Sequence, residues 1–149
     1  MKFFAPNLRA GRIAAVAATI GFAGVAVFEL SLALGAPLGH AAYGGNSAQL
    51  SLGERAVSGI AVIVWLAAGV IVLGRSGLLP SVRRAQFFRS ATWVLVVVSA
   101  IAALPNLASQ SPWEHFLFGP AALALACMCL VVARSAGPTP APVLSARAS

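Results

Sequence analysis

The sequence predicts an all-α protein: a four-transmembrane-helix bundle, integral to the membrane, with both termini cytoplasmic. Three observations predict it. The chain of 149 residues is 60% hydrophobic and only 9% charged, against about 25% charged in a soluble domain. A soluble protein this apolar lacks the polar surface to cover itself, so lipid is its natural solvent. Four long apolar segments are separated by short stretches rich in Gly, Pro, Ser or Arg. Finally, nine of the ten Lys and Arg residues lie in the N-terminal arm, the second connection, the start of the third helix or the C-terminal end. Cytoplasmic loops hold such an excess.

Residues 1–12 form a basic arm with Lys2, Arg9 and Arg12, where Phe3 and Phe4 can dip into the interface. The first helix is predicted over 13–34. From Ile13 to Ala36 the only charge is Glu29, and 24 such residues reach about 36 Å, enough to cross a hydrocarbon core of about 30 Å. A signal-peptide apolar region is only about 7–15 residues long, so this one reads as a retained helix. Ala14/Ala18 and Ala17/Gly21 give small-xxx-small spacings, which let another helix approach closely. Gly35 and Pro37 end the helix, glycine as a cap and proline as a block.

The loop from Gly35 to Leu50 holds four glycines, His40 and the only tyrosine, Tyr43. Its length and low polarity predict a loop that lies on or dips into the mouth of the bundle. Ser51-Leu-Gly-Glu54 matches a capping box, which starts a second helix predicted over 56–73. Arg75, Arg83 and Arg84 mark the second connection, broken by Gly77 and Pro80. The third helix is predicted over 88–104, with Pro105 and Asn106 ending it. Ser111-Pro-Trp-Glu114 is a second S-x-x-E, with proline at the first helical position. It starts a fourth helix predicted over 113–133. Gly119-Pro120 predicts a kink near its second turn. Residues 135–149, with three prolines among Ser, Ala and Gly, read as a disordered cytoplasmic tail.

The charge asymmetry sets the orientation. The 35–50 loop and the Ser-Pro-Trp-Glu segment face outward, together with all three acidic residues, Glu29, Glu54 and Glu114. A net charge of +7 does not indicate nucleic acid, because the cations form no patch interleaved with aromatics on a polar domain. They instead meet the lipid bilayer and its anionic lipid headgroups. Cys127 and Cys129 lie about 200° apart on a helix, so they cannot bridge and read as packing residues. No metal or cofactor motif is present.

Few residues invite a chemical role. Glu54 and Glu114 are accounted for as capping acceptors. Glu29 is not, since it sits inside an apolar helix near its outer end, where a carboxylate is costly unless paired or protonated. Its own helix face offers Phe22, Val25, Ala26, Leu32 and Ala33, none of them a partner. The candidate partners are His40, Tyr43, Arg55 and His115, all on the outer side. Glu29, His40, Tyr43, Glu114 and His115 therefore form the candidate site for a ligand or a proton.

The run Gly35-Ala-Pro-Leu-Gly-His-Ala-Ala-Tyr-Gly-Gly45, with Ser111-Pro-Trp-Glu114 and Phe118-Gly-Pro120, resembles small bacterial four-helix integral membrane proteins that have no assigned activity. The resemblance covers roughly an eighth of the chain. It implies a cell inner (plasma) membrane setting and no reaction. Three functions follow as expectations. The first is non-enzymatic, with an outer mouth around Glu29 and the 35–45 loop that binds a ligand, a membrane-protein partner or a second copy of the chain, or is merely structural, with Glu29 locking the first helix to the outer loops. The second is a proton-coupled small-molecule transporter using Glu29. The third is a membrane-embedded enzyme using His40 and His115 with Glu114.

Overall fold

A computed structural model describes residues 7–79 and 85–135. Four α-helices dominate it: α1 (Leu8–Ala33), α2 (Leu52–Arg75), α3 (Ala85–Ala108) and α4 (Gly119–Arg134). A π-helical turn, Glu114–Phe118, leads directly into α4. There is no strand among the described residues. Four helices are long and apolar enough to cross a membrane. The expected features at Lys2, Phe3, Phe4, Pro80, Arg83, Arg84 and the 136–149 tail lie outside the described residues.

α1, α2 and α3 are each longer than the span predicted for them, while the fourth, with its π turn, runs from Glu114 to Arg134, one residue off the expected 113–133. Hydropathy marks only the lipid-facing length, whereas backbone hydrogen bonding continues into the polar flanks. α1 therefore starts at Leu8, where the Asn7 side chain accepts the Arg9 N–H at 3.0 Å. It ends in a Schellman motif, with the Gly35 N–H on the Leu32 carbonyl, the Ala36 N–H on the Ser31 carbonyl, and Gly35 at φ +92°. α2 begins with the expected box: Ser51 accepts the Glu54 N–H, and the Glu54 carboxylate accepts the Ser51 N–H at 2.8 Å.

Two expectations are corrected. α3 does not stop at Pro105 but runs on to Ala108. Proline removes a single N–H, and the Asn106 side chain donates to the Ala102 carbonyl at 2.8 Å, supporting the weakened turn. The second S-x-x-E does not close as a capping box. The Ser111 N–H is taken by Ser109 Oγ at 3.1 Å, and the Glu114 carboxylate points elsewhere. Gly119-Pro120 is accommodated by the π turn, in which the Gly119 N–H reaches back to the Glu114 carbonyl.

The helices run up and down in a ring, each packing on its sequence neighbours, with α4 closing onto α1. α1–α2 and α3–α4 are the more extensive pairs. Between helices in lipid, close van der Waals packing takes the role that hydrophobic burial has in water. Gly69 lets Thr19 of α1 come near enough for its hydroxyl to reach the Gly69 carbonyl at 3.4 Å, beside its bond to the Ala15 carbonyl at 2.8 Å. Ala18 and Phe22 join Val72, Leu125, Cys129 and Val132 in the core. Cys129 is thus a packing residue and Cys127 faces outward. The outer faces carry exposed Ile13, Ile20, Val27, Ile63, Val94 and Ile101, an apolar surface larger than soluble monomers tolerate.

Candidate functional site

The core stops short of one end of the ring. The last turns of α1 and α3, α2 up to Trp65, and the π turn and first turns of α4 leave a cavity of about 570 Å³. Residues Ala41–Gly44 of the glycine-rich loop line it as a roof. The loop therefore dips into the mouth, as its low polarity predicts. It does so through two short 3₁₀ turns, Gly39–Ala41 and Tyr43–Gly45. Tyr43, Gly44 and Gly45 follow one another at φ +51°, +80° and +75°. For Tyr43 this is an uncommon conformation. Its hydroxyl compensates by donating to the Glu54 carbonyl at 3.1 Å and meeting Ser58 Oγ at 3.0 Å.

Glu114 fastens the roof. The Gly44 N–H donates to both carboxylate oxygens, at 3.1 and 3.3 Å, and the Ser109 hydroxyl donates to Oε2. Beside this clasp, the Ser111 hydroxyl donates to the His40 carbonyl at 2.9 Å. The His40 ring Nδ1 pairs with the Gly45 carbonyl at 2.9 Å, which makes Nδ1 the protonated nitrogen. Glu114 is only 9% exposed, and its oxygens are committed to protein donors.

Glu29 differs. Ser58 lies near its carboxyl without closing a hydrogen bond to it, and Ser58 meets Tyr43. This makes a chain of side chains from the loop through α2 to α1. None of the four expected partners touches Glu29 directly. Tyr43 reaches it only through Ser58. Arg55 turns away, donating Nε–H to the Ala33 carbonyl at 3.0 Å, because the last carbonyls of α1 lack helical partners and attract a cation. The second carboxyl oxygen, Glu29 Oε2, is buried with no hydrogen-bond partner. So is Ser99 Oγ on α3, in a residue 1% exposed. Both residues line the cavity.

Of the five candidate residues, Glu29, Tyr43 and Glu114 come together on the cavity wall. His40 and His115 are not among its lining. His40 is exposed and serves the loop, and His115 packs edge-on against Phe116. Among the described residues, no three His, Cys, Asp or Glu side chains group as metal ligands would.

Neither a family model, nor a characterised protein, nor a solved structure matches this chain.

The cavity and the polar groups behind it also bring in residues that the sequence reading passed over. Ser58 and Ser99 are single hydroxyls inside apolar runs, which is no signal by itself. Ser109 gave no signal, since a serine in a short polar loop is ordinary. Phe28, Trp65 and Phe118 supply aromatic wall. Phe28 and Phe118 pack at 4.7 Å between ring centroids, and Trp65 stacks on Phe22 at 5.6 Å. These contacts hold the rings in place.

Proposed function

We propose that this chain is a non-enzymatic multi-pass membrane protein that binds a small ligand in the cavity beneath the glycine-rich loop. One observation carries the reading. Two buried polar atoms, Glu29 Oε2 and Ser99 Oγ, belong to residues on the wall of one cavity and have no partner. An unpaired buried polar atom costs about 1–3 kcal/mol, more if charged, and such atoms are rare in a finished fold. A ligand in the cavity toward which these buried atoms turn supplies the missing hydrogen bonds and offsets that cost. The volume is in the range of small-molecule sites, about 300–1,000 Å³.

The membrane setting is part of the proposal. Arg9, Arg12, Arg75, Arg89 and Arg134 gather at the end of the ring opposite the cavity, while Glu29, Glu54 and Glu114 lie at the cavity end. That separation supports a cell inner membrane orientation with both termini cytoplasmic and the cavity facing outward. The basic end meets anionic lipid headgroups.

The test is thermal stability in detergent against a broad ligand panel, on the wild type and on Ala122→Phe, which fills the cavity. A ligand that stabilises only the wild type supports the reading. A panel in which every stabilising ligand acts equally on the filled variant overturns it.

Proton-coupled transport is the second reading, favoured by the half-buried Glu29, whose Oε2 is buried without a partner. It adds one requirement, ligand flux across proteoliposomes that follows a proton gradient and is lost in Glu29→Gln.

A further inference from the structure

The chemistry of the cavity narrows the class of ligand, on the reading that the cavity binds one at all. Among the described residues its lining contains two carboxylates, Glu29 and Glu114, and no Lys, Arg or His. Anions are therefore repelled rather than neutralised. Glu114 is already occupied by the Gly44 N–H and the Ser109 hydroxyl. Glu29 is the carboxylate with an oxygen to spare.

The two open atoms also specify hydrogen-bonding character. A carboxylate oxygen is an acceptor only, and a serine hydroxyl is both donor and acceptor. What satisfies both together is a ligand group with several N–H donors. A cation without N–H groups leaves both unsatisfied. Beyond these, Tyr43, Asn106 and Ser109 also line the wall but bond protein groups with their side chains, and the remainder is apolar and aromatic, with Phe28, Trp65 and Phe118 suited to an apolar body and to a cation near a ring face.

We propose that the cavity takes a protonated primary amine on an apolar or aromatic body, its ammonium N–H groups donating to Glu29 and Ser99. Selection of a primary over a quaternary ammonium comes from N–H donation, and selection of the amine over a neutral or anionic analogue comes from Glu29. The Glu114 clasp sets the roof and does not bind the amine.

The test uses four probes with one body: 2-phenylethylamine, its N,N,N-trimethyl derivative, 2-phenylethanol and 3-phenylpropionate. Binding is measured by calorimetry on the full chain in nanodiscs of neutral lipid. The primary amine binds the wild type about ten-fold or more tightly than the trimethyl derivative, a difference of about 1.4 kcal/mol. Glu29→Gln weakens the amine about ten-fold and leaves the alcohol within about two-fold, which also reports that the variant is folded. Ser99→Ala weakens the amine about three-fold or more, as expected for one hydrogen bond. Equal affinity for the primary and trimethyl ammonium probes overturns the proposal, as does an amine affinity unaffected by Glu29→Gln. If Ala122→Phe abolishes binding of both amine and alcohol while Glu29→Gln changes neither, the cavity reading stands and the amine assignment falls. If no probe binds the wild type, or Ala122→Phe leaves amine binding intact, both readings fall.

Discussion

Glu114 and Gly44 lie 70 residues apart in the chain, yet the Gly44 N–H divides its hydrogen bond between the two oxygens of that one carboxylate, at 3.1 and 3.3 Å. This contact joins the roof of the cavity to the start of the fourth helix. It acts in a buried setting, where a charged acceptor is stronger than a neutral one. Glu114→Gln keeps the shape and loses the charge. We expect it to cost about 1–2 kcal/mol, read as a lower unfolding midpoint. Amide hydrogen exchange at Gly44 and Gly45 should speed up more than exchange in α2.

Ser51 and Ser111 open the same four-residue pattern but have different work. Ser51 caps α2, so Ser51→Ala should cost about 1 kcal/mol and fray the first turn of α2. Ser111 holds the His40 carbonyl. Ser111→Ala should therefore leave the start of the fourth helix protected and raise hydrogen exchange across residues 39–45. Fraying at 113–117 instead would mean that Ser111 is a cap after all.

Glu29→Gln is expected to leave stability unchanged or to raise it in the absence of ligand. The amide oxygen can still lie near Ser58, and the variant no longer buries a carboxylate oxygen without a partner. A clear fall in melting temperature would identify Glu29 as a structural lock between helix and loop, and would count against a binding role.

Gly39 is buried beneath the end of its own loop. A Cβ there would run into the Ser47 carbonyl oxygen and lie 3.0 Å from the Ala48 carbonyl oxygen. Both obstacles are backbone, so they cannot swing aside. Gly39→Ala should displace the loop, break the Gly39 N–H bond to the Ala48 carbonyl and cost about 1–3 kcal/mol. A limited-proteolysis time course on the 35–50 segment would report the displacement directly.

The number of helices and the glycine-rich loop at the mouth of the ring were legible because hydropathy and glycine content are local signals. The ends were not. Leu8 to Arg12 and Leu52 to Arg55 are polar enough to fall outside an apolar window, yet they keep helical hydrogen bonds. Glu54 was read correctly because its partner, Ser51, is three residues away. Glu114 was misread for the converse reason. The pattern Ser-x-x-Glu is the same, but its competitor, the Gly44 N–H, arrives from a distant loop. Glu29 stood out through its depth in an apolar helix. Its neighbour Ser58 did not, since a serine inside a span is unremarkable until the fold sets it opposite a carboxylate.

The π turn at Glu114–Phe118 amounts to one extra residue in a helix, and one residue is about 100° of helical phase. Phe118, Ala121, Ala122 and Leu125 form the stripe that faces the cavity. In an unbroken α-helix, Glu114 would stand in line with them, four residues before Phe118. The wide turn shifts its phase relative to that stripe, and the carboxylate, still on the cavity wall, is held by Gly44 and Ser109. Deleting one residue from 115–118 would change the phase of Glu114 by about 100°, unclasp the roof and leave the cavity wall with a second uncommitted carboxylate. The valence that the cavity presents to a ligand is thus fixed by a single residue of helical register.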